Sequence, residues 1–162
     1  MNYFELFDLP VAPTIDKSGI SKKYFELQKK YHPDFFSAAD EGEKDEVLQQ
    51  SASINKAFKI FENPERTIEY FLQLSGLIVP DEKYNLPADF LMEMMEINEG
   101  LVENEESSLK TVEILEETLK EHVKPILENY SAGNVSGADM EKLKSYYYRR
   151  KYLKRILDRL AD

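Results

Sequence analysis

A chain of 162 residues with ordinary hydrophobic content can hold one domain or two small ones. Its formal net charge of −10 argues against general nucleic-acid binding. The absence of cysteine excludes disulfides, zinc–thiolate sites, iron–sulfur ligation by this chain and thiol catalysis, and it fits a reducing compartment.

The start, Met1-Asn2-Tyr3-Phe4-Glu5, has neither a basic segment nor a long apolar run, so no secretory leader is expected there. No apolar run approaches membrane-spanning length. The expected location is cytoplasmic, with no membrane partner. A short helix over about 2–8 stops near Leu9-Pro10. The next helix is predicted from Asp16, a good N-cap residue with Ile15 placed as a hydrophobic staple, to Tyr31. Ile20, Tyr24, Leu27 and Tyr31 share one face of it, and Lys22, Lys23, Lys29 and Lys30 lie on the other side. Pro33 cannot continue this helix and biases His32 out of the helical region. His32, Pro33 and Asp34 are therefore expected at the mouth of a loop beside a basic face.

A third helix is predicted over about 43–62, with Val47, Ser51, Ile54, Phe58 and Phe61 at helical spacing. Asn63-Pro64 supplies a cap with proline at the first helical position of a fourth helix, which carries Ile68, Phe71 and Leu72 and stops at Gly76. Residues 77–86 lack helical periodicity and contain a proline, so they are expected to connect two domains. Three further helices follow: Pro87 to about Glu106, Ser107 or Ser108 to Tyr130 with a bend at Pro125, and about Ala138 to Leu160. No strand, repeat or low-complexity tract is expected, and the chain reads as all-α.

Charge is blocked along the chain. Residues 17–30 hold five lysines against one glutamate. Residues 89–106 hold seven acidic residues and no basic one, and residues 142–159 hold eight basic residues against one aspartate. Such blocks make solvated faces or pair between helices. In the helix from Pro87, the residues Phe90, Met94, Ile97 and Leu101 make a sufficient core stripe. Leu91, Met92 and Met95 are left over among Glu93, Glu96 and Glu99. Spacing leaves two readings open: a helix buried on two sides, or a patch for a partner.

Tyr3-x-x-Leu6-x-x-Leu9, the basic helix, His32-Pro33-Asp34 and the helix containing Ile54-Asn55-Lys56-Ala57-Phe58 together resemble a J domain. That module stimulates ATP hydrolysis by 70-kDa heat-shock chaperones. Two departures stand out: Phe35 occupies the place after Asp34 where many J domains have lysine, and the chain lacks the cysteine-bearing extension of some eukaryotic members. The run Asp89-Phe90-Leu91-Met92-Glu93-Met94-Met95-Glu96-Ile97 is similar to the client-binding helix of the HscB (Jac-type) co-chaperones, and the resemblance extends to Gln49-Gln50-Ser51-Ala52-Ser53-Ile54-Asn55 and to Asn63-Pro64-x-Arg66. It covers nearly the whole chain. It implies a J domain over 1–76, a connection over 77–86 and a three-helix bundle over 87–162. It also implies a 70-kDa chaperone ATPase of the HscA or DnaK type as one partner and the iron–sulfur scaffold IscU as the other. The ATPase would meet His32, Pro33, Asp34, Lys22, Lys23, Lys29 and Lys30. The scaffold would meet Leu91, Met92 and Met95, with Glu96, Glu99 and Glu103 as polar neighbours. A further aromatic contact on the last helix falls in Tyr146-Tyr147-Tyr148, with no single tyrosine fixed.

His122, the other histidine, has no nearby ligand set and reads as structural. No nucleophile–base spacing, phosphate-cradling glycine loop or metal-ligand cluster is visible, so neither an enzyme nor a cofactor or metal is expected. The competing readings are a J-domain adaptor for a different client and a purely structural interaction module. An acid–base enzyme built on the acidic helix fails for want of a second convergent group.

Overall fold

The computed structural model describes residues 1–161, with side chains through 159. It is all-α: seven α-helices and two 3₁₀ turns, with no strand among the described residues. The chain divides into two units, Met1–Leu74 and Ser75–Asp162, of which Asp162 lies outside the described residues.

In the first unit, α1 (Tyr3–Leu6) is closed by a capping box: Asn2 accepts from the Glu5 amide, and the Glu5 carboxylate accepts from the Asn2 amide. Asp16 does act as a cap, but of a 3₁₀ turn, Lys17–Gly19. The helix proper, α2 (Ile20–Tyr31), begins three residues later, behind Gly19. A second 3₁₀ turn, Pro33–Phe36, follows, and then α3 (Glu41–Glu62), capped by Asp40. This cap draws Gly42 into the helix instead of the loop. Asn63 caps α4 (Pro64–Leu74) as its sequence implies, accepting from the Glu65 and Arg66 amides. Gly76, at φ +75°, ends that stretch in a conformation a side chain would strain.

Antiparallel α2 and α3 make the hairpin, and α1 and α4 close its far end. Phe4 and Phe7 meet Phe61 with ring centroids 5.2 and 5.4 Å apart, over Ile54, Ile68, Phe71 and Leu72. Tyr24 stacks on Phe58 at 4.2 Å and donates its hydroxyl to Asn55, which also accepts from Gln28. Thr67 is the buried polar residue here, and its hydroxyl lies 3.0 Å from the carbonyls of both Ile60 and Asn63.

The second unit is the bundle of α5 (Ala88–Glu103), α6 (Glu105–Glu128) and α7 (Gly137–Ala161). Phe90, Met94, Ile97 and Leu101 of α5 are buried against Val112, Leu153 and Ile156. Helix α6 starts two or three residues earlier than expected. Asn104 both ends α5 and caps α6 through the Ser107 amide, and Glu105 and Glu106 then occupy the first turn, where carboxylates favour the helix dipole. The two helices come close because Gly100 has no Cβ: one placed there would stand 2.5 Å from Ser108 Oγ. Pro125 sits inside α6, and its carbonyl accepts from both the amide and the side chain of Asn129.

Residues 77–86 pack into this second unit and do more than tether it. Ile78 is buried. The Glu82 carboxylate accepts from the Tyr148 hydroxyl and from Lys144 Nζ at 3.1 Å, and Tyr84 stacks on Tyr148 at 4.3 Å.

Candidate functional site

The first unit presents its functional candidates at the end of α2. Ile20 and Leu27 are buried, which turns the opposite face outward. On that face the four lysines are not equivalent. Lys23 is tied to Asp8 at 2.5 Å, and Lys30 lies over the ring of Tyr31 at 5.2 Å. The ammonium groups of Lys22 and Lys29 have no acidic partner among the described residues, and both are exposed. His32 stops the helix in extended conformation, at φ −69° and ψ 129°. Its Nδ1 accepts from the Asp34 amide at 3.3 Å and stands 3.5 Å from the Asp34 carboxylate. His32 and Asp34 are both exposed, so the His-Pro-Asp turn holds its shape by its own bonds and leaves both side chains in water.

In the second unit, α5 separates two sets of apolar residues. The core set, Phe90, Met94, Ile97 and Leu101, is at most 6% exposed. Outside it, Met92 and Met95 are 63% and 61% exposed, and Leu91 is half-buried. The helix is therefore not buried on two sides within its own unit. Glu93, Glu96, Glu99 and Glu103 are exposed around the methionines. Leu91 also lines a cavity of about 360 Å³ with Tyr84, Tyr148, Tyr152, Lys151 and Arg155. Of the three consecutive tyrosines, Tyr146 is core, whereas Tyr147 and Tyr148 are half-buried, and Tyr148 shares that cavity with Leu91.

Three cations of α7 are engaged within this unit. Lys144 pairs with Glu82, Arg149 lies over Phe90 at 5.1 Å, and Lys151 lies over Tyr147 and Tyr148. His122 is exposed beside a second cavity of the bundle. Among the described residues no group of three or more metal-ligating side chains comes together, and no helix is long and apolar enough to cross a membrane.

Sequence reasoning missed the anchor at Glu82, because its partners lie 62 and 66 residues away and the segment has no period of its own. The Tyr148 hydroxyl, and after it Lys144, holds the Glu82 carboxyl below its usual range. Burial, then its hydrogen bond to Glu82 and the charge there, pushes the Tyr148 hydroxyl up. Because the folded-state value of Glu82 is depressed, its contribution to stability is present above the unfolded value of about 4.3 and is lost as pH falls through the folded one. The melting-temperature gap between wild type and Glu82→Gln is therefore expected to be full at pH 7 and to close progressively below about pH 4. A gap that widened in acid would contradict this anchor.

Residues 2–70 match the family model of the DnaJ domain, and residues 86–161 match the model described as the HSCB C-terminal oligomerisation domain. A co-chaperone protein HscB homolog of Vibrio cholerae serotype O1 is 43% identical over 102 residues, which is 62% of this chain and 60% of that protein. The homolog of Shewanella amazonensis is 42% identical over 104 residues, again 60% of its length. The chain thus aligns with about three fifths of the curated relatives it matches. Among solved structures, human co-chaperone protein HscB superposes with a TM-score of 0.80 at 28% identity, covering 99% of this chain and 81% of that one. Chaperone HscB from Vibrio cholerae gives 0.63 at 31% identity, covering 99% of both chains. With both halves matched in order and a relative covered end to end, the chain belongs to the HscB co-chaperone family.

Proposed function

We propose that this protein is a cytoplasmic, non-enzymatic co-chaperone that stimulates the ATPase of a 70-kDa heat-shock chaperone of the HscA or DnaK type. In this reading it delivers an IscU-type scaffold protein to that chaperone during iron–sulfur cluster assembly. The observation that carries the reading is the pairing of two surfaces on one chain. One is a water-exposed His32-Pro33-Asp34 turn next to unpaired lysines. The other is an apolar patch, Leu91, Met92 and Met95, lying outside a core stripe that is already complete. Tyr148, in the same cavity wall as Leu91, is the tyrosine assigned to the scaffold side. Glu96, Glu99 and Glu103 frame the patch and fix orientation. Family membership supports both halves of this assignment. Joining the two surfaces raises the scaffold's effective concentration at the ATPase, which neither surface could do alone.

The lysine face offers a direct test. Exposed charges are screened beyond roughly 8–10 Å at physiological ionic strength. Single-turnover ATP hydrolysis by a purified 70-kDa chaperone from the source genome is expected to be stimulated by the wild-type chain and to need more of it as salt rises. Lys22→Glu combined with Lys29→Glu should raise the half-saturating concentration at least about tenfold at low salt, since like-charge contacts cost several kcal/mol at an interface. A salt-independent interaction, unchanged in the double variant, would reduce the basic face to a solubility feature. Scaffold protein added with the chain should stimulate hydrolysis beyond either alone. A client other than IscU giving that effect would favour the general-adaptor reading.

A further inference from the structure

Phe25 is 63% exposed in the middle of α2. It stands three residues after Lys22 and four before Lys29, so it lies between their side chains on one stripe of the helix. Continued one turn, the stripe reaches His32 at the helix end. An aromatic ring is costly to leave in water, and the core does not need this one: Ile20, Tyr24, Leu27 and Tyr31 already cover the inward face. Phe25 is also held in place. Its ring meets the edge of Tyr24 at 5.7 Å, and Tyr24 is itself pinned by stacking on Phe58 and by its bond to Asn55. A ring backed in this way loses little freedom on binding, which is what an interface anchor requires.

We infer that Phe25 is the apolar anchor of the ATPase-docking face. It inserts into an apolar cleft rimmed by carboxylates on the 70-kDa chaperone, and Lys22 and Lys29 meet the rim. This rests on the co-chaperone reading above and sharpens it. The occupant follows from charge and continuity: two unpaired ammonium groups flank the ring, and the same stripe leads to the His-Pro-Asp turn. The division of labour is physical. The lysines speed and orient encounter in a salt-dependent way, while burial of the ring adds affinity that salt does not screen.

The test is a titration of the same chaperone with the full chain, at low and at high salt, read as single-turnover hydrolysis. Phe25→Ala is expected to raise the half-saturating concentration about tenfold and to leave the maximal stimulation unchanged. That ratio to wild type should stay constant between the two salts, whereas the ratio for the Lys22→Glu, Lys29→Glu variant should shrink as salt rises. Phe25→Leu, which keeps the apolar bulk, should recover most of the loss, and helical content by circular dichroism should match wild type throughout. If Phe25→Ala titrates like wild type while His32→Gln is inactive, the anchor is wrong and the co-chaperone reading stands. If the Phe25→Ala penalty fades with salt as the lysine penalty does, the ring only positions the lysines and the inference is overturned. If His32→Gln stimulates normally, the docking face itself falls, and Phe25 with it.

Discussion

The His32→Gln protein is expected to fold as wild type does and to leave the ATPase unstimulated. His32 is the C-terminal cap of α2 by its backbone, and its side chain is exposed. Glutamine can occupy the same extended backbone conformation before Pro33. The substitution removes the ring contact with Phe35, at 5.9 Å between exposed rings, and the bond from the Asp34 amide to Nδ1. Both are at the surface, where substitutions usually change stability within about 0.5 kcal/mol. The melting temperature should therefore move by no more than a few degrees. Stimulation should instead fall to the background of the chaperone alone, and raising the concentration of the variant should not restore it. That last point separates a trigger from a tether: loss of a tether shifts the half-saturating concentration, whereas loss of a trigger lowers the ceiling. A folded His32→Gln chain with a normal ceiling would remove the basis for assigning the turn to the ATPase.

The parts of this fold that can be read from the sequence are those governed by a short period. Phe90, Met94, Ile97 and Leu101 repeat at helical spacing, and all four are buried. The same holds for Ile20 and Leu27 on α2 and for Ile68, Phe71 and Leu72 on α4. Burial of the α5 stripe turns Met92 and Met95 away from it, but spacing leaves open whether a second surface covers them, and only their exposure in the fold decides it. The Asn63-Pro64 start of α4 is legible because a cap acts over two or three residues.

Features that depend on distant partners are not legible in this way. Tyr146, Tyr147 and Tyr148 stand about 100° apart and cover roughly 200° of a helix, so the run itself does not say which of them faces the core. Only packing decides that it is Tyr146. The segment 77–86 looks like a connector because its holds on α7, through Glu82 and Tyr84, leave no local pattern. The expected start of α6, Ser107 or Ser108, lies two or three residues late, because asparagine and serine cap about equally well and the local sequence does not choose between them. The structure favours Asn104, which lets Glu105 and Glu106 occupy the positive end of the helix. Neither 3₁₀ turn has a period long enough to detect.

Leu91→Ala, Met92→Ala and Met95→Ala made together are expected to lower scaffold affinity at least about tenfold, a loss of about 1.4 kcal/mol, in a protein that stays folded. The two halves of this expectation come from the same helix. Met94, 1% exposed, sits between Met92 and Met95 in sequence but belongs to the buried cluster that includes Leu153 and Ile156. Its truncation to alanine should cost about 2–5 kcal/mol of stability, the range for a buried large-to-small change. Met95→Ala, one residue later and 61% exposed, should cost no more than about 0.5 kcal/mol. At a binding interface the ranking reverses, because an exposed anchor that becomes covered on association can contribute about 1–3 kcal/mol or more when it is truncated. Calorimetry with a purified IscU-type scaffold measures the first effect, and thermal melts measure the second. ATPase stimulation in the absence of scaffold should be unaltered in the triple variant, since His32, Lys22 and Lys29 lie on the other unit. If the triple variant melts early, Leu91 carries more of the bundle than its half-burial indicates, and Met92→Ala with Met95→Ala alone becomes the deciding pair. If the folded variant binds the scaffold as wild type does, these residues are not the client surface. The adaptor reading, with another client on another face, would then be the better account of the chain.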